Sequence, residues 1–188
     1  MGQKQNMEST QLYLNGFSKA WTLKNILDQD LLNRLIIDSE MFSYYKTERV
    51  RTSRPDRIYM HQYPNIASFT AVCGFLSSFD FKKTISMITD IDFTRYRSRI
   101  ELCRDEVESW LRPHTDNEAK HLTLQIYLSD SNNSTVLGDY KDSATVNSGW
   151  MFVNTGKELH QLPPLQVRRT SIILNYVDTT WRDHTVVI

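Results

Sequence analysis

The sequence predicts a mainly β protein with flanking helices, an antiparallel barrel or jelly roll with helices laid against one sheet. Three observations predict it. Beyond residue 92 the chain breaks into short runs rich in β-branched and aromatic residues, bounded by Asp, Asn, Ser, Gly and Pro. Before that point apolar residues recur at three- and four-residue spacing, the period of an amphipathic helix. The 188 residues carry no internal repeat, low-complexity tract or linker, so residues 1–188 read as one domain able to bury a core.

Between Thr22 and Phe42, the residues Leu23, Ile26, Leu27, Leu31, Leu32, Leu35 and Ile36 mark one helical face, with a break expected near Asp30. Arg49 to Met60 is basic and carries Pro55, which reads as extended chain or loop. Asn65 to Ile91 predicts helix again, interrupted at Gly74 and at Phe79-Asp80-Phe81. Strands are expected at Ile100-Glu101-Leu102-Cys103, from Leu122 to Leu128, from Gly149 to Val153 and from Ser171 to Val177.

Composition narrows the function. Lys and Arg total 22 and Asp and Glu total 22, so no global charge draws the chain to nucleic acid or to an anionic membrane surface. No apolar run approaches the ~20 residues that span a bilayer. Met1 to Asn6 has no apolar stretch of the signal-peptide kind. Cys73 and Cys103 are too few for a disulfide framework, so a reducing cytoplasm is expected. The sequons in Asn132-Asn133-Ser134-Thr135 then mean only a polar loop.

The chemistry concentrates in His114-Thr115-Asp116, His160 and Arg169-Thr170-Ser171. Two imidazoles and one carboxylate are the ligand set of a facial triad, which holds Fe(II) on one side and leaves other positions open. On a strand, residues i and i+2 share a face, so His114 and Asp116 can project together while Thr115 points away. Pro113 and Asn117 place the pair at a strand end, and Gly156 and Pro163-Pro164 place His160 where a strand meets a loop. The arginine with a hydroxyl two residues on suits a carboxylate clamp. The bland alternatives are a turn histidine paired with Asp116, a loop histidine capping a carbonyl, and a solvent-facing arginine.

Other residues read less sharply. Thr123, Gln125 and Tyr127 share a strand face from which one could reach a bound ligand, although Tyr127 also reads as core with its hydroxyl at the rim. Arg49, Arg51, Arg54 and Arg57, followed by Tyr59 and His61, form a solvated loop or a lid that recognises an anionic substrate. His121 and His184 read as surface residues, and Trp110, Trp150 and Trp181 as packing at the barrel ends.

Trp110 through Asp116, the strand Leu124 to Ser129, Gly149 to Val153 through His160, and Arg169-Thr170-Ser171 leading into Asn175-Tyr176 resemble the 2-oxoglutarate/Fe(II)-dependent oxygenase superfamily, prolyl-4-hydroxylase-like branch. The resemblance spans roughly residues 99 to 181. It implies a double-stranded β-helix, a jelly-roll and cupin-like core of about residues 93–182, with helical support over about 1–92. It implies His114, Asp116 and His160 as iron ligands and Arg169 as the salt bridge to the distal carboxylate of 2-oxoglutarate. Ser171 becomes a hydrogen-bonding helper, and Tyr127 a further candidate for that cofactor site. A planar guanidinium suits the clamp because it binds a carboxylate bidentately. The register could instead be Arg168 with Thr170, since a one-residue slip turns the other arginine inward.

The implied activity is a dioxygenase that uses Fe(II), 2-oxoglutarate and O2 to hydroxylate a C–H bond, releasing succinate and carbon dioxide. Related halogenases carry a small residue in place of the carboxylate, so Asp116 implies hydroxylation. The substrate class stays open between a small molecule and a peptidyl residue, with no nucleic-acid or membrane partner expected. Two other classes remain: a cupin-like iron dioxygenase that does not use 2-oxoglutarate, and a non-catalytic ligand-binding jelly roll.

Overall fold

Two antiparallel sheets face each other across a cavity in a computed structural model that describes residues 7–41, 46–47, 57–60, 66–131, 134–141 and 143–181. Strands are numbered in chain order. The larger sheet contains β1 (Glu8–Leu12), β2 (Ala20–Lys24), β3 (Lys46–Thr47), β4 (Arg57–Met60), β5 (Arg97–Asp105), β7 (Lys120–Tyr127), β10 (Ser148–Val153) and β12 (Arg169–Val177). Its order is β1-β2-β10-β7-β12-β5-β4-β3. The smaller sheet contains β6 (Leu111–His114), β8 (Val136–Leu137), β9 (Tyr140–Lys141) and β11 (His160–Leu162), in the order β6-β11-β8-β9. Three helices, α1 (Gln29–Met41), α2 (Ala67–Ser77) and α3 (Phe79–Thr89), complete the described elements. This is the jelly roll with flanking helices that the residue pattern predicts.

The central strands are buried on both faces, and the two faces differ in kind. Ile100 and Leu102 of β5, Leu122, Leu124 and Ile126 of β7, and Ile172, Leu174 and Tyr176 of β12 point outward. There they join Leu32 and Leu35 of α1, Phe69, Val72 and Leu76 of α2, and Phe81 and Ile85 of α3 in one apolar core. The alternate residues face the other sheet, and they are largely polar. Registers align Arg99, Asn175 and Thr123 in one row, Glu101, Ile173, Gln125 and Trp150 in the next, and Asp105 with Arg169 at the far end. Buried polar side chains are the informative exception in a protein interior. Here they line the cavity between the sheets.

Three features depart from the sequence expectation. The helix expected from Thr22 begins only at Gln29, because Ala20–Lys24 is a strand between β1 and β10. Trp21 and Leu23 satisfy the two-residue period of a strand as well as the helical one, and pairing on both sides decides the matter. Asn25 then leaves the strand with a positive φ of 53°. The Asp28 carboxylate accepts from the backbone N–H groups of Asp30 (3.0 Å) and Leu31 (3.2 Å), which caps the new helix. The second helical stretch breaks at Ser78, not at Gly74. Ser78 Oγ accepts from the Phe81 N–H at 3.2 Å and caps α3, whereas Gly74 sits inside α2. Finally, the first half is not only helical, since β1 to β4 extend the main sheet on both of its edges. Of the basic stretch, Arg57–Met60 pairs with β5 as strand. Arg49, Arg51, Arg54 and His61 lie outside the described residues, as do His184 and Asn132-Asn133.

Candidate active site

The smaller sheet brings the two histidines together directly. His114 ends β6, His160 begins β11, and the antiparallel register pairs one with the other. Their ring centroids are 4.2 Å apart. Asp116 follows two residues beyond β6, and one ligand atom from each of His114, Asp116 and His160 lies within 4.8 Å of the others. Among the described residues this is the one group of three such side chains so placed.

Hydrogen bonds orient each ligand. His114 Nδ1 lies 3.0 Å from the Arg112 carbonyl, and His160 Nδ1 lies 3.0 Å from the Glu158 carbonyl. A carbonyl oxygen only accepts, so each Nδ1 carries the proton, and Nε2 is the ring nitrogen that could ligate a metal. Glu158 is itself held by the backbone N–H of Thr155 (2.7 Å) and of Lys157 (3.1 Å), which steadies the loop before His160. The Asp116 carboxylate accepts from Lys120 Nζ at 2.7 Å on one oxygen and from Thr123 Oγ1 at 2.6 Å on the other. Burial alone would raise the pKa of Asp116. The charge of Lys120, the facing imidazole of His160 and these two hydrogen bonds outweigh it and bring the carboxyl down to about 2. Two imidazoles and one ionised carboxylate, each offering one ligand atom, fit a divalent iron.

The cavity holding this triad has a volume of about 330 Å³. Arg169 lies at its inner end, 1 % exposed, with Nε 3.2 Å and Nη2 2.7 Å from Asp105 Oδ2 and Nη1 3.2 Å from Thr135 Oγ1. Its guanidinium stands 5.8 Å from the centre of the Tyr127 ring. Arg168 points out of the fold and donates to Glu40 on the surface, so the register places Arg169 inward.

The other candidates sit behind this wall. Ser171 is fully buried and accepts from Gln125 Nε2 at 2.8 Å. Tyr127 is fully buried too, and its hydroxyl accepts from the Trp150 indole N–H at 2.8 Å in the interior, not at the rim. The cavity surface is instead formed by Thr123, Gln125 and Thr135. Trp150 and Trp181, expected at the barrel ends, both line the cavity. His121, expected on the surface, is half-buried, its ring tilted against Tyr96 with centroids 4.5 Å apart and Nε2 3.2 Å from Asp178 Oδ2.

Sequence reasoning missed Arg99, Glu101, Lys120 and Thr135 on the cavity wall, and Asp105 behind Arg169. A signal existed in Arg99-Ile100-Glu101-Leu102, where charged and apolar residues alternate. That alternation ordinarily means one solvated face. Only the second sheet turns the charged face into an interior.

The sequence matches no family model and no curated protein. Solved structures do resemble the fold. A prolyl hydroxylase from Trichoplax adhaerens, solved with a hypoxia-inducible-factor oxygen-degradation-domain peptide, superimposes with a TM-score of 0.67 at 13 % identity, over 85 % of this chain and 83 % of that one. A Pseudomonas putida prolyl-4-hydroxylase gives 0.64 at 14 % identity, over 84 % and 91 %. The non-heme alpha-ketoglutarate-dependent epimerase SnoN from nogalamycin biosynthesis gives 0.64 at 10 % identity, over 86 % and 79 %. The fold is that of the 2-oxoglutarate/Fe(II) oxygenases, in the form shared by prolyl hydroxylases.

Proposed function

We propose that this chain is a 2-oxoglutarate- and Fe(II)-dependent dioxygenase that hydroxylates a C–H bond of a small molecule or a peptidyl residue. The observation that carries the reading is the triad: His114, Asp116 and His160 converge, each oriented by a second hydrogen bond, inside a fold shared with such enzymes. Iron, 2-oxoglutarate and O2 would supply the oxidising chemistry, with succinate and carbon dioxide as co-products.

The chain's own residues then have distinct tasks. His114, Asp116 and His160 would hold the iron, and Thr123 and Lys120 keep the carboxylate ionised and aimed. Arg169 would take the distal carboxylate of 2-oxoglutarate through N–H groups not given to Asp105 and Thr135, since a guanidinium has five donors in a fixed fork. Ser171 fixes Gln125, which accepts from Thr135 at 3.0 Å, and the Tyr127 ring supports the guanidinium from below. The walls of Trp150, Leu111 and Ile173 limit water at the reacting centre.

One observation favours the alternative of an iron dioxygenase that does not use 2-oxoglutarate. Asp105 already balances the charge of Arg169, which weakens its pull on a second carboxylate. An anaerobic titration with Fe(II) and then 2-oxoglutarate decides between them through the weak visible charge-transfer band of the chelate. The expected result is a band that His160→Ala abolishes and that Arg169→Ala shifts to higher 2-oxoglutarate concentration while iron still binds. Iron binding without the band would select the alternative, and no iron binding would leave a ligand-binding jelly roll.

A further inference from the structure

Among the described residues, three opposite-charge pairs stand at the cavity wall. Lys120 with Asp116 belongs to the metal triad, and Arg169 with Asp105 to the inner end. The third, Arg99 with Glu101, has no part in either. Both residues lie on β5, separated by the outward-facing Ile100, and both line the cavity. Their side chains retain only 10 % and 9 % of their exposure.

The pair is built and not merely tolerated. Arg99 Nη1 donates to Asn175 Oδ1 at 2.9 Å, Nη2 donates to Glu101, and the guanidinium lies 5.1 Å from the centre of the Trp181 ring. Three directions are thereby fixed. Stability does not require such a pair, because replacing a buried ion pair by well-packed apolar residues is commonly neutral or favourable. The neighbouring position in the same row is Ile173, so apolar side chains suit this wall. The pair also stands close to the reacting centre: Asn175 Nδ2 donates to Thr123 Oγ1 at 2.9 Å, and Thr123 donates to the metal-ligand Asp116.

We propose that Arg99 and Glu101 form the substrate subsite and that it takes a free α-amino acid, the α-carboxylate on Arg99 and the α-ammonium on Glu101. The proposal rests on the oxygenase reading of the cavity. A zwitterion entering beside the pair adds two charge-assisted contacts and leaves the balance of charge unchanged. A lone carboxylate would be repelled by Glu101, a lone ammonium by Arg99, and a neutral ligand would cover the pair without replacing its water. The modest volume of about 330 Å³ also favours a small molecule over an extended peptide. The amino-acid side chain would then point past Thr123 towards the triad.

The test uses the full chain loaded anaerobically with Fe(II) and 2-oxoglutarate. Each of the protein amino acids is titrated while the chelate band is followed, beside its amide, its N-acetyl acid and its N-acetyl amide. At least one free amino acid is expected to perturb the band, with roughly tenfold or greater loss of affinity when either charge is blocked. Glu101→Gln should weaken that amino acid by about tenfold and erase its advantage over the N-acetyl acid. Arg99→Met should erase its advantage over the amide. Both variants must retain the band, which shows that the fold and metal site persist. A band that no free amino acid perturbs, or that blocked derivatives perturb equally, overturns the proposal and leaves the oxygenase reading standing. So does an unchanged charge preference in both variants. Absence of the band in the wild type sinks the oxygenase reading, and this subsite with it.

Discussion

Asp116 shows how much of the site depends on single hydrogen bonds. Its carboxylate is buried, yet Lys120, His160 and Thr123 keep it ionised at any ordinary pH. Thr123 matters most for aim, because it couples Asp116 to Asn175 in the sheet. Thr123→Val keeps the side-chain volume and removes the hydroxyl. Loss of such an outer partner typically costs a metal site about ten- to a hundredfold in affinity. An anaerobic Mn(II) titration should show that loss, and an unchanged affinity would mean Asp116 is held by Lys120 alone. Cys73, far from this chemistry, gives a pH signature. Burial in α2 pushes its thiol up to about 12, whereas an unfolded cysteine titrates near ~8.5. The folded state therefore keeps a proton that the unfolded state releases. The contribution is complete below about pH 8.5 and is lost as pH rises towards 12. Denaturant melts at pH 7.5 and 10 should show a steeper alkaline loss for wild type than for Cys73→Ala, and equal slopes would contradict the assignment.

At the level of elements, the site is assembled by strand register. Gly149 in β10 shows how tightly. A Cβ placed there would come within 2.0 Å of the Gln125 carbonyl oxygen on β7, backbone against backbone. Gly149→Ala must therefore open the β10–β7 pairing, which carries Trp150 and Gln125 into the cavity. A loss of about 3 kcal/mol or more is expected, of the size seen when a core is overpacked. Thermal melts check it, and a change below about 1 kcal/mol would show that the strands yield without cost. The same register logic separates Arg169 from Arg168. Arg169 meets Asp105 across β5 and β12, and its neighbour turns to Glu40 on the surface.

For the whole molecule, the cavity lies between two sheets that are joined by the hydrogen bonds of Asp116 to Lys120 and Thr123 of β7 as well as by their apolar contacts. Ala20, Tyr127, Trp150 and Phe152 of the large sheet pack with Leu137 of the small one. His160 lies 5.1 Å from the Phe152 ring centre on the same floor. A metal bound by His114, Asp116 and His160 would clamp loop and sheet together and bind only the folded chain. At a hundred times its Kd such a ligand adds about 2.7 kcal/mol. For a chain of this size that corresponds to roughly 5–10 °C in melting temperature. Anaerobic melts with and without Mn(II) or Fe(II) should show the rise in wild type and none in His114→Ala. A rise that persists in His114→Ala would place the metal elsewhere.

Local pattern was enough for much of this. Runs of four to seven residues marked β5, β7, β10 and β12, and the order His114, Asp116, His160, Arg169 marked the candidate site, because residue type and spacing are properties of the chain itself. What depends on the other sheet was hidden. Trp21 and Leu23 fit two periods until β1 and β10 paired with them. Arg99 and Glu101 alternate with Ile100 and Leu102 as a solvated strand face would, and nothing local says that a second sheet covers them. Tyr127 and Ser171 share the face of the clamp, yet the packing of Gln125 and Trp150 places them behind the wall. The sequence by itself determined the central strands of the large sheet, the helices' apolar faces and the candidate metal-ligating residues. Only the tertiary structure decided which charges became an interior, because burial depends on residues brought opposite from distant parts of the chain.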